Sequence, residues 1–189
     1  MRLLRYEDLS VTPWKNGGGV TREVASCNDG DVGLLWRVSI ATVSAPGPFS
    51  SFSGIDRTIA VLAGKGMDLS TSDHAVTLTS ETPPYDFDGE TPIHARLTDG
   101  DTTDLNAMSR RGHFRHRMLR LTVNPGFTFI GTAQLSFIVL GGPAEIAFDG
   151  KVINAGPLDT VADIAQGASL AWGVAVATPC HLIEFDPVY

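Results

Sequence analysis

Trp36-Arg37-Val38-Ser39-Ile40-Ala41 puts Trp36, Val38 and Ile40 on one face of an extended chain and Arg37, Ser39 and Ala41 on the other. Alternation of this kind, with aromatic and β-branched residues on one side, is the signature of a half-buried strand. The pattern recurs outward in both directions. Ile59-Ala60-Val61-Leu62, Leu119-Arg120-Leu121-Thr122-Val123 and Leu135-Ser136-Phe137-Ile138-Val139-Leu140 are short apolar or alternating runs bounded by Gly, Pro, Asp or Asn. Helical periodicity is scarce. Thr102-Thr103-Asp104-Leu105-Asn106-Ala107-Met108 is the best stretch for one or two helical turns. An all-β chain, sandwich or barrel, is expected.

The 189 residues suit one large domain or two small ones. Hydrophobic residues make up 43% and charged residues 19%, which excludes a disordered or fibrous chain. The net charge is −7 and the pI about 5.1. That acidity argues against sequence-independent nucleic-acid binding, which depends on neutralising phosphates. The basic residues are eleven Arg and three Lys. Arg suits planar, bidentate recognition of carboxylates, so the placement of the arginines carries the information. Cys27 and Cys180 form no CxxC pair and read as small buried hydrophobes in a reducing compartment. The start, MRLLRYEDLS, lacks the form of a secretory signal, and no apolar run nears the roughly 20 residues that span a bilayer. A cytoplasmic chain without a membrane partner is expected.

Two short echoes point to an internal duplication. Ile59-Ala60-Val61-Leu62-Ala63-Gly64 matches Phe137-Ile138-Val139-Leu140-Gly141-Gly142 at an offset of 78. Thr91-Pro92-Ile93-His94 matches Thr178-Pro179-Cys180-His181 at an offset of 87. Loops absorb such differences in spacing. A boundary is expected near residues 105–117, in a polar, Arg-rich segment.

The unusual chemistry gathers in the first half. Pro13-Trp14-Lys15-Asn16-Gly17-Gly18-Gly19 leads into Arg22-Glu23. Its glycines allow close backbone approach, their amides can form an anion-binding concavity, and Lys15 and Arg22 stand beside it. A plain flexible turn is the competing reading. Arg37 is solvated if its strand lies in an open sheet and lines a cavity if its face points into a barrel. Gly47-Pro48-Phe49-Ser50-Ser51-Phe52-Ser53-Gly54-Ile55-Asp56-Arg57 carries two aromatics and an Asp-Arg pair. Arg57 either makes a surface ion pair there or presents its fork at a barrel mouth. Five arginines and two histidines lie between Arg110 and Arg120, but without a stacking array of aromatics. His74, His94, His113, His116 and His181 form no metal motif, because the His113-x-x-His116 pair stands among arginines. No GxSxG elbow or phosphate loop is present.

In order along the chain, PWKNGGGVTREV (13–24), WRVSIATV (36–43), GPFSSFSGIDR (47–57), VLAGKG (61–66) and DLNAMSRRG (104–112) resemble the HutD family, which includes the Ves proteins, in the cupin superfamily. Ser53 stands where that family usually has Pro. The resemblance implies a bicupin, with two germin-like β-barrels or jelly rolls in one chain. The halves would be residues 1–110 and 111–189, with strands exchanged between them. It also implies a link to histidine utilisation through an intermediate such as formylglutamate or formiminoglutamate, with no established reaction. The family's motif residues fall here on Trp14, Lys15, Asn16, Arg22, Glu23, Trp36, Arg37, Ser39, Phe49, Arg57, Asp104, Asn106 and Arg110.

The expected activity is therefore non-enzymatic binding of a small carboxylate metabolite. Arg57, with Arg22 or Lys15, would clamp the carboxylate. Asn16, Ser39 and Asn106 would read an amide or formyl group, and Trp14, Trp36 and Phe49 would exclude water. Asp104 or Glu23 would hold the arginines. A metal-independent isomerase or hydrolase using Glu23 or Asp104 as base stays open, and so does a protein-interaction module. No cofactor or metal is expected, and no nucleic acid partner; a homodimer is compatible with the sequence.

Overall fold

Short alternating runs punctuated by glycine leave the chain few choices but β-structure, and a computed structural model of all residues Met1–Tyr189 contains nineteen strands. They begin β1 (Arg2–Leu4), β2 (Val11–Pro13), β3 (Gly19–Asp29), β4 (Gly33–Val43), β5 (Gly47–Pro48), β6 (Ile55–Ala63) and β7 (Met67–Ser70). They continue as β8 (Ala75–Leu78), β9 (Tyr85–Asp88), β10 (His94–Leu97), β11 (Thr102–Arg110) and β12 (Phe114–Val123). The remainder are β13 (Thr128–Ile130), β14 (Leu135–Leu140), β15 (Ala144–Phe148), β16 (Lys151–Ala155), β17 (Thr160–Ala165), β18 (Ser169–Gly173) and β19 (Thr178–Pro187). The one helical element is a 3-10 turn at Tyr6–Asp8. No helix is long and apolar enough to cross a membrane.

The chain forms two compact units. One comprises Ser10–Arg115 with Val188–Tyr189, the other Met1–Leu9 with His116–Pro187. The division falls at 115/116, and the first nine residues go with the second half of the chain. In the first unit a six-stranded sheet, β2-β3-β4-β11-β6-β9, accompanies a four-stranded one, β5-β10-β7-β8. The other unit has β1-β17-β14-β19-β12 and β13-β18-β15-β16. The strands pair antiparallel, and hydrogen bonds leave each sheet open at its edges rather than closing a continuous barrel.

The run Thr102–Met108 is not helical. Its polar residues alternate with Leu105 and Ala107, so it forms β11, the strand bonded to both β4 and β6. Tertiary pairing on both sides outweighs the weak helical signal of a short polar segment.

Each unit fills its interior with apolar side chains. Val43, Ile59, Val61, Met67, Leu69, Leu78, Ile93 and Ala95 form one cluster in the first unit. In the other, Ile138, Leu140, Ile146, Val161, Ile164, Leu170, Trp172, Cys180 and Leu182 belong to a larger cluster. Cys180 is buried as expected, whereas Cys27 is only half-buried.

Candidate functional site

A cavity of about 710 Å³ opens in the first unit. Strand alternation decides what lines it. From β4 come Arg37, Ser39 and Ala41, from β11 Asp104, Asn106 and Met108, and from β6 Arg57. Register brings these together: Asn106 lies opposite Ser39, and Met108 lies between Arg37 on β4 and Arg57 on β6. Thr21 of β3 stands opposite Ala41 on the same face. Trp14, Lys15 and Asn16 come from the loop after β2, and Phe49, Ser50 and Phe52 from the segment after β5.

Arg57 is the centre of the arrangement. It is 6% exposed, though its neighbour Asp56 points the other way and pairs with Arg111 at 2.5 Å. That disposes of an Asp56–Arg57 pair, since successive strand residues face opposite sides. Arg57 Nη1 donates to the Ser50 carbonyl at 3.2 Å and Nη2 to Asn106 Oδ1 at 2.7 Å. Its Cζ lies 5.4, 5.3 and 4.8 Å from the ring centres of Phe49, Phe52 and Phe87. These rings hold the cation at cation–π distance while excluding water. Burial, and after it the Arg37 charge, pull the guanidinium down to about 10, against the opposing pull of Asp104.

Asn106 links this cation to Asp104. Its Oδ1 accepts from Arg57, which fixes the amide so that Nδ2 donates to Asp104 Oδ1 at 2.7 Å. Asp104 is 1% exposed, and burial pushes its carboxyl up to about 7 despite the Asn106 hydrogen bond and the Arg57 charge. Asn106 is therefore a strut between two ionisable groups rather than a free reader of ligand. Asn16 is similarly occupied, since its Oδ1 accepts the Gly18 amide at 3.0 Å. Trp14 is fixed by a 2.8 Å bond from Nε1 to Thr21 Oγ1.

Of the thirteen residues singled out by sequence, Trp14, Lys15, Asn16, Arg37, Ser39, Phe49, Arg57, Asp104 and Asn106 line the cavity. Four do not. Arg22 and Trp36 share the opposite sheet face, in register with Ile40 and with Cys27. Glu23 stands outside the lining, where its Oε2 is 3.0 Å from Arg37 Nε, an ion pair without hydrogen-bond alignment. Arg110 lies at the end of β11, and its Nε donates to the Leu34 carbonyl at 2.7 Å. The sequence reading leaves out Thr12, Pro13, Thr21, Ala41, Pro48, Ser50, Phe52 and Met108. Ala41 and Met108 were within reach, because each is two residues from a chosen neighbour on its own strand.

The lining thus offers Lys15, Arg37 and Arg57 as cations against Asp104 as its one acid. No group of three or more His, Cys, Asp or Glu is placed to hold a metal ion. The arrangement can bind an anion, cover its apolar part with aromatic rings, and exchange a proton at Asp104.

Comparisons with known proteins agree on the kin of this chain. A family model described as HutD matches residues 6–178. An uncharacterized 21.2 kDa protein in the hutC 3′ region of Pseudomonas putida is 35% identical over 119 residues, 62% of this chain and 63% of that protein. That alignment thus spans somewhat less than two thirds of the relative's length. Protein Ves of Citrobacter koseri is 30% identical over 142 residues, 73% of this chain and 74% of its own. HutD from Pseudomonas fluorescens SBW25 superposes with a TM-score of 0.82 at 29% identity, covering 100% and 99% of the two chains. A cupin 2 conserved barrel domain protein from Leptotrichia buccalis matches at a TM-score of 0.62 and 10% identity, over 97% and 95%, a likeness of fold alone.

Proposed function

The chain belongs to the HutD family, and from that premise we propose that it is a binding protein for a small carboxylate metabolite of histidine utilisation. The link to histidine utilisation is supported by the relative in a hutC 3′ region. The ligand class is supported by the cavity. Formylglutamate and formiminoglutamate fit it, because each pairs carboxylates with a small polar head. On this reading the two units are the two halves of a bicupin, of which the first holds the ligand.

One observation carries the proposal: a buried arginine whose fork is aimed but not exhausted. A guanidinium has five N–H donors. Arg57 uses one on Ser50 and one on Asn106, which leaves three, among them a buried Nε without a hydrogen-bond partner. A bound carboxylate would satisfy this fork in bidentate fashion, and Arg37 and Lys15 would hold a second anionic group. Burying a cation so deeply without an anion costs folding free energy, and a ligand recovers it.

The test is calorimetric titration with N-formyl-L-glutamate, formiminoglutamate, urocanate and glutamate, on wild type, Arg57→Ala and Arg57→Lys. Wild type is expected to bind at least one of them. Arg57→Ala should weaken binding by about 2–4 kcal/mol, through loss of the charge-assisted pair. Arg57→Lys should recover only part of this, since an ammonium lacks the planar fork. Affinity unchanged in folded Arg57→Ala would exclude the clamp and leave Arg57 with a structural role.

A further inference from the structure

We propose that Asp104 meets the ligand as a neutral carboxylic acid that donates its proton to an acceptor oxygen of the bound anion, so that the site selects an acyl or carboxylate oxygen and takes up one proton with it. This rests on the reading of the cavity as an anion site, and goes further by assigning which kind of atom faces Asp104.

The geometry leads there in steps. Asp104 lines the cavity but is 1% exposed, so little water solvates its charge. Its hydrogen-bonding partner is the Asn106 amide, and no cation is bonded to it directly. Asn106 in turn holds Arg57, so one amide spans the cation that would bind the ligand carboxylate and the acid beside it. An anion seated on Arg57 stands next to Asp104 and competes for the same cation. Two carboxylates sharing a site do not both stay ionised; one takes a proton. The ligand is already paired with Arg57, so the proton goes to Asp104. The neutral acid keeps one oxygen as acceptor for Asn106 Nδ2 and offers O–H to the ligand.

The surrounding charges point the same way. From β6 the facing charge is Arg57, from β4 Arg37, and from the loop after β2 Lys15. Glu23 of β3 is engaged with Arg37. The second sheet of the unit contributes the apolar Met67, Leu69, Leu78 and Ala95 to the interior. None of the five histidines lines the cavity. Burial has already moved the free acid to about 7, before any anion arrives.

The sign of the effect follows. Below about pH 7 Asp104 is already protonated, and affinity is level. Above it each binding event must draw a proton from solution, so affinity falls with rising pH, with a limit of tenfold per unit. The carboxylates of N-formyl-L-glutamate, with ordinary values of about 4, stay ionised across this range.

The experiment is titration of the full chain with N-formyl-L-glutamate at pH 6, 7, 8 and 9, in buffers of different ionisation heat. The expected results are affinity lost between pH 7 and 9, and a buffer-dependent heat corresponding to uptake of about one proton. Asp104→Asn, which carries a permanent donor in the same place, should lose the pH slope and bind at least tenfold more tightly than wild type at pH 9. Wild-type affinity that is level or rises from pH 6 to 9, without proton uptake, would overturn the proposal while leaving anion binding intact. Weaker binding by folded Asp104→Asn at pH 9 would overturn it too, because Asp104 would then be accepting from a ligand N–H. If that variant does not fold, the wild-type buffer heats decide. Absence of binding at every pH would remove both this inference and the function it rests on.

Discussion

Asp104 and His181 are both buried, and burial moves them in opposite directions over the same pH range. Asp104 goes from its ordinary 3.8 up to about 7, and His181 from 6.5 down to about 4 through burial and then the nearby Arg120 charge. For Asp104 the unfolded chain releases its proton first, so folding is progressively disfavoured as pH rises from about 4 to 7, and the penalty is complete above that. For His181 the unfolded chain takes up its proton first. Its contribution is intact above 6.5 and is lost as pH falls toward 4. Asp104→Asn is therefore expected to gain on wild type between pH 4.5 and 8, by an amount on the order of 2–4 kcal/mol. His181→Gln should lose less stability than wild type between pH 6.5 and 4.5. Urea unfolding of the three proteins at pH 4.5, 6.5 and 8 measures both. A pH-independent difference for either variant would show that burial does not perturb that group.

At the scale of elements, the cavity depends on how the chain re-enters the sheet after Trp14. The Trp14 amide donates to the Gly19 carbonyl at 2.9 Å, and the Ser44 and Ala45 amides both donate to the Gly18 carbonyl. These bonds draw the 14–19 loop against the end of β4. Gly19 is the tight point: a Cβ there would lie 2.4 Å from the Thr42 carbonyl oxygen and 3.2 Å from the Trp14 ring. Backbone cannot yield to such an approach, so Gly19→Ala must shift the start of β3 and the indole with it. The expected outcome is a loss of about 1–3 kcal/mol, typical of overpacking, together with weaker ligand binding. Thermal melting and titration of one sample check both. Full affinity in a destabilised variant would mean that Trp14 does not shape the site.

For the whole molecule, sheet order reveals a duplication of eight strands. The orders β4-β11-β6-β9 and β5-β10-β7-β8 of one unit recur as β12-β19-β14-β17 and β13-β18-β15-β16 in the other, each strand number raised by eight. The first sequence echo thus lies in equivalent strands, β6 and β14. It is one residue out of phase: it pairs Val61 with Val139, yet Val61 and Ile138 are the residues in the two apolar clusters. A one-residue slip exchanges the faces of a strand, and short apolar strings cannot reveal it. The second echo is spurious, because His94 begins β10 while His181 lies in β19, whose counterpart is β11. The units also differ inside. In the second, Glu184 is 2% exposed and is bonded by Arg117 and by Thr132 Oγ1 at 2.7 Å, so an internal carboxylate meets an arginine there. The N-terminal strand belongs to this second unit, as β1 pairs with β17 and Arg5 reaches Asp159 at 2.8 Å. Removing residues 1–5 is expected to lower the melting temperature by several degrees, since it exposes an edge of β17 and leaves the 6%-exposed Asp159 without its cation. An unchanged melting curve would show that β1 adds nothing to the second unit.

Composition, alternation and glycine punctuation sufficed for the all-β class, because a period of two is a local property that each strand carries by itself. The ordered motifs from Trp14 to Gly112 likewise marked the half that holds the cavity. Face and neighbour were another matter. Trp36 and Arg37 are adjacent, and nothing local says which of the two looks into a cavity. The strand partners decide it, and those come from residues far along the chain: Asn106 lies 49 positions from Arg57. Burial of Asp104, the aromatic cage closed by Phe87, and the passage of the first nine residues to the second unit are of the same kind. Each depends on which distant segments pack together, so the sequence could supply the chemical groups, and only the tertiary structure determined which of them meet.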